Sequence, residues 1–120
     1  MQNYPKAIGP YSAYRVAGDF IFASGQIPIN PATNELVKGD IKEQTAQCFE
    51  NIKAILAENG LNLSHIVKTT VFLADINDFS QMNETYASFL NAPYPARSAF
   101  AVKDLPKGAK VEIEIIAFKA

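Results

Sequence analysis

Histidine and cysteine are almost missing from this chain of 120 residues, which contains one of each, His65 and Cys48. A single thiol cannot form an intrachain disulfide. One histidine and one cysteine also cannot supply the usual ligand cluster of a zinc site, so we predict no metal. The glycine-rich loops that bind nucleotides and the G-x-S-x-G turn of serine hydrolases are absent too. Together these absences exclude many familiar chemistries.

Basic charge is also scarce. The chain has 11 Lys and Arg residues, a net charge of −1 and a pI near 5.8, and no three basic residues are consecutive. Binding to a phosphate backbone requires a basic face, so nucleic acid is not a predicted partner. No apolar stretch approaches the roughly 20 residues of a membrane span, and residues 1–14 lack the apolar segment of a signal peptide. We therefore expect a soluble, cytoplasmic protein with no membrane partner.

The elements can be placed from hydrophobic spacing and turn residues. With 48% apolar and 19% charged residues, the composition is typical of a globular protein, and the length fits one domain over residues 1–120. Alternation and helical spacing predict the order β-β-α-β-α-β-β, an α+β pattern. Asp40 and Glu43 have the spacing of a capping box at the start of the first helix, and Asn59-Gly60 suits its end. We expect the second helix to start near Asn77 or Asp78 and to stop before the prolines that follow.

The last predicted strand is apolar on both faces. Val111, Ile113 and Ile115 alternate with a second set that includes Ile116 and Phe118. The chain offers only two helices, and if both cover one face of the sheet, the other face stays apolar and uncovered. A large uncovered apolar surface usually marks an association site. The pattern therefore predicts a homo-oligomer.

Arg97 is the strongest candidate for chemistry, because it begins an apolar strand in the segment Pro95-Ala96-Arg97-Ser98. A planar guanidinium binds a carboxylate through two parallel charge-assisted hydrogen bonds. The arginine would then be a receptor for a small anionic molecule. The alternative is an ordinary solvent-facing arginine at a strand end.

Two other candidates are acidic. Glu112 and Glu114 share a strand face, where joint burial of two negative charges is unfavourable without compensation. One of them could orient or deprotonate a water molecule. The alternative is a wet strand end.

Four further candidates each have a structural alternative. Tyr11 could line a pocket or pack a turn, and Asn83 could fix the geometry of a pocket or cap a loop. Gly25, after Ser24, could allow close approach of a ligand or mark a bulge. Cys48 lies on the predicted helix stripe and is interpreted as core rather than as a nucleophile. On these residues alone, we predict a soluble α+β oligomer with a candidate site for a small carboxylate.

Five segments, in this order and spacing, resemble the RidA/YjgF family of imine deaminases over nearly the whole chain. They are Ile8-Gly9-Pro10-Tyr11, Ser24-Gly25-Gln26-Ile27-Pro28, Ile66-Val67-Lys68-Thr69-Thr70-Val71-Phe72, Pro95-Ala96-Arg97-Ser98 and Val111-Glu112-Ile113-Glu114. The resemblance implies a chorismate-mutase-like fold: a mixed six-stranded sheet with two helices on one face. It also implies a homotrimer with a barrel-like core and ligand clefts between subunits.

The same resemblance implies cofactor-free hydrolysis of 2-iminobutanoate and 2-iminopropanoate to 2-keto acids and ammonia. Arg97 matches the arginine that pairs with the substrate carboxylate, Glu112 the carboxylate associated with the attacking water, and Tyr11 the tyrosine that lines the cleft. Ser24, Gly25 and Asn83 match residues at or near the pocket.

The chain departs from close family members at Ala99, where many carry cysteine. If this position serves the ligand through its backbone N–H, alanine preserves the contact; a role that depends on the thiol is absent. The loop from Leu90 to Pro95 also looks shorter than in well-known members, which leaves pocket size open.

Three other functions are compatible with parts of this pattern. A trimer that senses or carries 2-keto acids without turnover would use Arg97 equally well. An RNA-directed activity, sometimes attached to the family, is disfavoured by the acidic pI. Chorismate mutase activity is disfavoured because one cleft arginine is too few for a dicarboxylate.

Overall fold

A computed structural model describes residues 2–119. The predicted elements occur in the predicted order, with two further short strands before the first helix. The helices are α1 (Ile41–Glu58) and α2 (Phe79–Phe89), and 3₁₀ turns lie at Leu63–His65, Ile76–Asp78 and Pro106–Gly108. The strands are β1 (Tyr14–Ala17), β2 (Phe20–Gln26), β3 (Ile29–Asn30), β4 (Glu35–Leu36), β5 (Ile66–Leu73), β6 (Ala96–Ala101) and β7 (Val111–Phe118).

The main sheet is mixed and has five strands in the order β1-β2-β7-β5-β6. Its neighbours pair antiparallel except β5 and β6, which are parallel. The predicted six-stranded sheet is therefore wrong, because β3 and β4 pair only with each other. Pro28 and Pro31 cannot donate backbone hydrogen bonds, and Asn34 adopts a positive φ of 60°. This segment consequently forms a short separate ribbon.

Local signals place the ends of α1 as predicted. The Asp40 carboxylate accepts from the Glu43 N–H at 2.9 Å, and the Glu43 side chain accepts from the Asp40 N–H at 3.3 Å. This reciprocal capping box satisfies N–H groups that have no partner in the first helical turn. Asn59 follows the helix, and Gly60 takes a left-handed φ of 71°.

Both helices contribute to one core on one face of the sheet. The predicted α1 stripe is buried, and Met82 and Tyr86 of α2 join the same cluster. The sheet supplies the alternate residues of its strands, such as Val71 and Ile113. At about 25 cal/mol per Å² of apolar area, this burial is the main term that stabilises the fold.

The opposite face of the sheet carries aromatic side chains that no described element covers. Phe20, Phe22 and Phe100 are 42%, 45% and 45% exposed. Phe20 packs against Phe118 with ring centroids 5.0 Å apart, and Phe72 against Phe100 at 5.4 Å. The predicted apolar uncovered face is confirmed. We call it the open face; association through it stays a prediction.

Candidate active site

Arg97 is the second residue of the edge strand β6, and its exposed side chain is held in one orientation by helix α2. Its Nη1 donates a hydrogen bond of 2.6 Å to Oδ1 of Asn83. Its Cζ lies 4.7 Å from the ring centroid of Tyr86 and 5.5 Å from that of Phe79. Both geometries are typical of cation–π contacts. The structure thus brings together two predicted site residues, Arg97 and Asn83.

The aromatic support beneath the guanidinium is itself fixed. Tyr86 is only 5% exposed, and its hydroxyl lies 2.8 Å from Oγ1 of the fully buried Thr69. Thr69 on β5 is the register partner of Arg97 on β6. Sequence reasoning gave Tyr86 and Phe79 no role in a site. Asn83 lies four residues after Phe79 and three residues before Tyr86, and this spacing is the signal that places all three on one helix face.

The guanidinium keeps most of its hydrogen-bonding capacity. No carboxylate within residues 2–119 lies within 4 Å of Arg97, and the bond to Asn83 is the one side-chain hydrogen bond that Arg97 makes there. A guanidinium has five N–H donors in a planar fork. Arg97 with Asn83, Tyr86 and Phe79, here called the arginine cluster, is therefore preorganised to receive a carboxylate.

A second group of predicted residues meets where β2 and β7 pair. The carboxyl group of Glu112 lies over the backbone of Gly25, in the space that a side chain would occupy. A Cβ built on Gly25 would lie 2.8 Å from Cδ and 3.0 Å from Cγ of Glu112. Ordinary carbon–carbon contacts are longer, about 3.5 Å. Glycine at this position is therefore what admits the carboxyl group.

The half-buried position of Glu112 changes its acidity. Burial raises the pKa of its carboxyl group above the ordinary value of 4.5, and the neighbouring negative charge of Glu114 raises the pKa further. Both effects disfavour the ionised form. A carboxylate whose pKa is raised is a better proton acceptor than an ordinary carboxylate.

Tyr11 lines a groove of about 80 Å³ that also contacts Gly25, Ile27 and Ile29. Its ring is 53% exposed. The segment before β1 is tied to β2, because the Ser24 hydroxyl donates to the Ser12 carbonyl at 2.6 Å. Ser24 therefore anchors the residue next to Tyr11. We call Glu112, Gly25, Tyr11 and Ser24 the glutamate cluster.

The two clusters do not meet within one chain. Arg97 on β6 is the register partner of Thr69 on β5, and Thr69 in turn pairs with Ile115 on β7. Ile115 lies three residues after Glu112 on that strand. The Cα atoms of Arg97 and Glu112 are therefore two strand spacings and three residues apart, which is a distance of roughly 14 Å. Arg97 also extends toward α2, whereas Glu112 is on the open face. The half-buried Ala99 packs against the core on the Arg97 side.

The remaining candidates have structural roles. Cys48 is fully buried and donates from Sγ to the Gln26 carbonyl at 3.1 Å, while burial raises the pKa of its thiol. Its interpretation as a core residue is confirmed. His65 accepts at Nδ1 from the Asn62 N–H, which caps a 3₁₀ turn.

Two kinds of feature are absent from residues 2–119. No three His, Cys, Asp or Glu side chains there form a group that could hold a metal ion. In the same residues, no helix combines the length and hydropathy needed to cross a membrane.

Comparison with known proteins places the chain among relatives of nearly equal length. It is 55% identical to a RutC family protein of Pyrococcus horikoshii, covering 98% of this chain and 94% of the relative. It is 49% identical to the 2-iminobutanoate/2-iminopropanoate deaminase of Escherichia coli K12, with the same coverage of both chains. The crystal structure of Escherichia coli TdcF with bound serine matches with a TM-score of 0.94 at 44% identity, covering 100% of this chain and 96% of the other.

The mixed sheet with two helices is thus the fold of these relatives. The family model described as Endoribonuclease L-PSP matches residues 1–119. This match and the named relatives confirm the resemblance inferred from the five segments. The chain belongs to the Endoribonuclease L-PSP family, the YjgF/RidA family of Rid and RutC proteins.

Proposed function

We propose that this protein hydrolyses reactive 2-imino acids, such as 2-iminobutanoate and 2-iminopropanoate, to 2-keto acids and ammonia. The observation that carries the proposal is the oriented guanidinium of Arg97, which has no carboxylate partner among the described residues. The 49% identity with a deaminase that acts on these imines supports the same substrates. Membership of the family alone does not choose among its differently named members.

A complete site requires a second copy of the chain. Arg97 and Glu112 lie on opposite faces of the sheet and cannot act on one small substrate within a chain. The open face supplies an apolar surface through which copies would associate. We propose a homotrimer in which the arginine cluster of one subunit faces the glutamate cluster of the next, with Tyr11 at the cleft.

In this cleft, Arg97 binds the substrate carboxylate and fixes the imine carbon. The protonated imine is already electrophilic, so neither a covalent nucleophile nor a cofactor is required. Glu112, with Tyr11, orients a water molecule, and the carboxylate accepts a proton as the water oxygen attacks the carbon. The resulting carbinolamine receives that proton on nitrogen. As the C–N bond breaks and ammonia leaves, the reionised Glu112 carboxylate accepts the proton of the hydroxyl group, which becomes the carbonyl of the 2-keto acid, and the proton then passes to ammonia or solvent. The protein contributes mainly orientation and electrostatic stabilisation.

The test couples a threonine dehydratase, which releases the imine, to detection of 2-ketobutyrate. Charge-assisted hydrogen bonds contribute about 1.5–3 kcal/mol, so Arg97→Ala should lower the catalysed rate by roughly 10- to 100-fold. Lys103→Ala, which removes an exposed cation just beyond the same strand, is the matched control and should keep full activity. An Arg97→Ala variant with native circular dichroism and an unchanged rate would eliminate the proposed anchor.

A second candidate is binding of 2-keto acids without turnover. Serine bound to the related TdcF favours it, since serine carries a carboxylate on the carbon next to nitrogen. In this case Ser24, Gly25, Asn83 and the backbone of Ala99 would contact the ligand together with Arg97. Calorimetric binding of 2-ketobutyrate, with no acceleration of imine hydrolysis by the same preparation, would decide for the binder.

A further inference from the structure

Tyr86 lies beneath the guanidinium of Arg97. We infer that Tyr86, anchored by Thr69, is a positioning residue that fixes the plane of the Arg97 guanidinium. This inference rests on the proposed function, because the guanidinium so oriented would receive the substrate carboxylate. Tyr86 and Thr69 are buried in the helix–sheet core and would act through Arg97 rather than by touching the substrate.

Arg97 contacts Tyr86, and Tyr86 in turn contacts Thr69. The Arg97 Cζ lies 4.7 Å from the Tyr86 centroid, and the Tyr86 hydroxyl lies 2.8 Å from Thr69 Oγ1. Tyr86 and Thr69 are 5% and 0% exposed. A buried hydroxyl pair of this kind cannot exchange its partner for water. The ring is thus held at its rim and presents its face to the arginine.

Two N–H donors of the Arg97 guanidinium remain available for a ligand. The guanidinium carbon lies over the Tyr86 ring, and Nη1 is bonded to Asn83, three residues earlier on the same helix. Nε and Nη2 make no hydrogen bond to any side chain within residues 2–119. These two donors are parallel and lie in one plane. The fixed plane therefore favours a planar, two-oxygen anion such as a carboxylate.

Arginine NMR tests this positioning without any ligand. The chain contains only two arginines, so the Nε–H region gives two signals, and Arg15 on β1 is the internal reference. The Tyr86 ring should shift the Arg97 signal upfield and slow the rotation of its guanidinium. Tyr86→Leu should abolish both effects, and Tyr86→Phe, which keeps the ring, should restore them. An Arg97 signal that Tyr86→Leu leaves unchanged would overturn the inference.

Affinity for 2-ketobutyrate, the stable product of the proposed reaction, tests the effect of this positioning on ligand binding. Tyr86→Leu should weaken binding about tenfold, the effect of losing one partly desolvated cation–π contact. Tyr86→Phe and Thr69→Val keep the ring but remove its hydroxyl anchor, so each should weaken binding less than Tyr86→Leu does, by about threefold. Phe89→Leu is the matched control: Phe89 lies on the same helix and stacks on Phe49 at 4.9 Å, away from the arginine.

A double-mutant cycle separates positioning from general destabilisation. In an Arg97→Ala background, Tyr86→Leu should have no further effect on 2-ketobutyrate affinity. If Tyr86→Leu weakens binding no more than Phe89→Leu does, this inference is wrong while the proposed function stands. If Arg97→Ala binds 2-ketobutyrate as tightly as the parent protein, both are wrong.

Discussion

The substitution Gly25→Ala adds one methyl group at the point where Glu112 crosses the backbone of β2. The new Cβ would lie 2.8 Å from Cδ of Glu112 and closer still to Oε2. This contact is short of an ordinary carbon–carbon distance by about 0.7 Å. The backbone of Gly25 is not in the left-handed region, so alanine can adopt the local conformation. The overlap must therefore be relieved by movement of the carboxyl group.

The magnitudes of the two consequences differ. The carboxyl group is the end of a flexible, half-buried side chain, so its displacement should change the free energy of unfolding by no more than about 1 kcal/mol. A displacement of about 1 Å in a catalytic group can lower a rate on the order of 100-fold. We therefore expect Gly25→Ala to lose nearly all imine hydrolysis while its stability stays close to that of the parent protein.

The assay pairs dehydratase-coupled keto-acid detection with urea unfolding. Gly18→Ala is the control, for which we expect the reverse result: lower stability with unchanged activity. Gly18 has a φ of 60° in the β1–β2 turn, and a Cβ at this position would meet no neighbouring atom within 4 Å. Alanine there should lower stability by about 1 kcal/mol through backbone strain and leave activity intact. Full activity of Gly25→Ala would refute the role assigned to the Glu112 carboxyl position.

Three further predictions concern charge and association. Glu114→Gln removes a negative charge that raises the pKa of Glu112, so the acid limb of the rate–pH profile should move to lower pH. If the acid limb does not move, Glu112 is not the titrating base. Phe22→Asp places a charge on the open face and should give a monomer without activity in sedimentation and rate measurements at micromolar concentration; an active oligomer would contradict association through this face. Burial, followed by the nearby negative charge of Glu58, raises the pKa of Tyr4 to about 12 from 10.0. Since the unfolded phenol ionises first, stability should fall between about pH 10 and 12, and Tyr4→Phe should reduce that fall in pH-dependent unfolding.

Local patterns in the sequence were sufficient for the helix ends and for the faces of β7. The capping box of Asp40 and Glu43 acts over three residues, and the two faces of a strand alternate with a period of two. The short ribbon of β3 and β4 was missed because two-residue strands carry no periodic signal. The sixth strand of the predicted sheet came from the family resemblance and not from any run of residues in this chain.

The contacts within the candidate site depend on register, which the sequence does not encode locally. Gly25 and Glu112 meet because β2 pairs with β7 through a register shift between Ala23 and Gln26. Arg97 meets Tyr86 because β6 runs parallel to β5 and places the arginine beside α2. The residues were recognisable one by one from their chemistry. Their grouping into two clusters required the fold.

The separation of those clusters gives the open face a role beyond stability. In an enzyme whose site lies within one chain, loss of the oligomer can leave the chemistry intact. Here the proposed carboxylate receptor, Arg97, and the proposed proton acceptor, Glu112, are on opposite faces of one sheet. If both act on one substrate, as we propose, neither cluster is sufficient alone. Mixing inactive Arg97→Ala and Glu112→Gln chains should then restore part of the activity, because some clefts would combine an intact arginine with an intact glutamate. Failure of mixed, re-associated chains to recover any activity would show that the site is not shared between subunits.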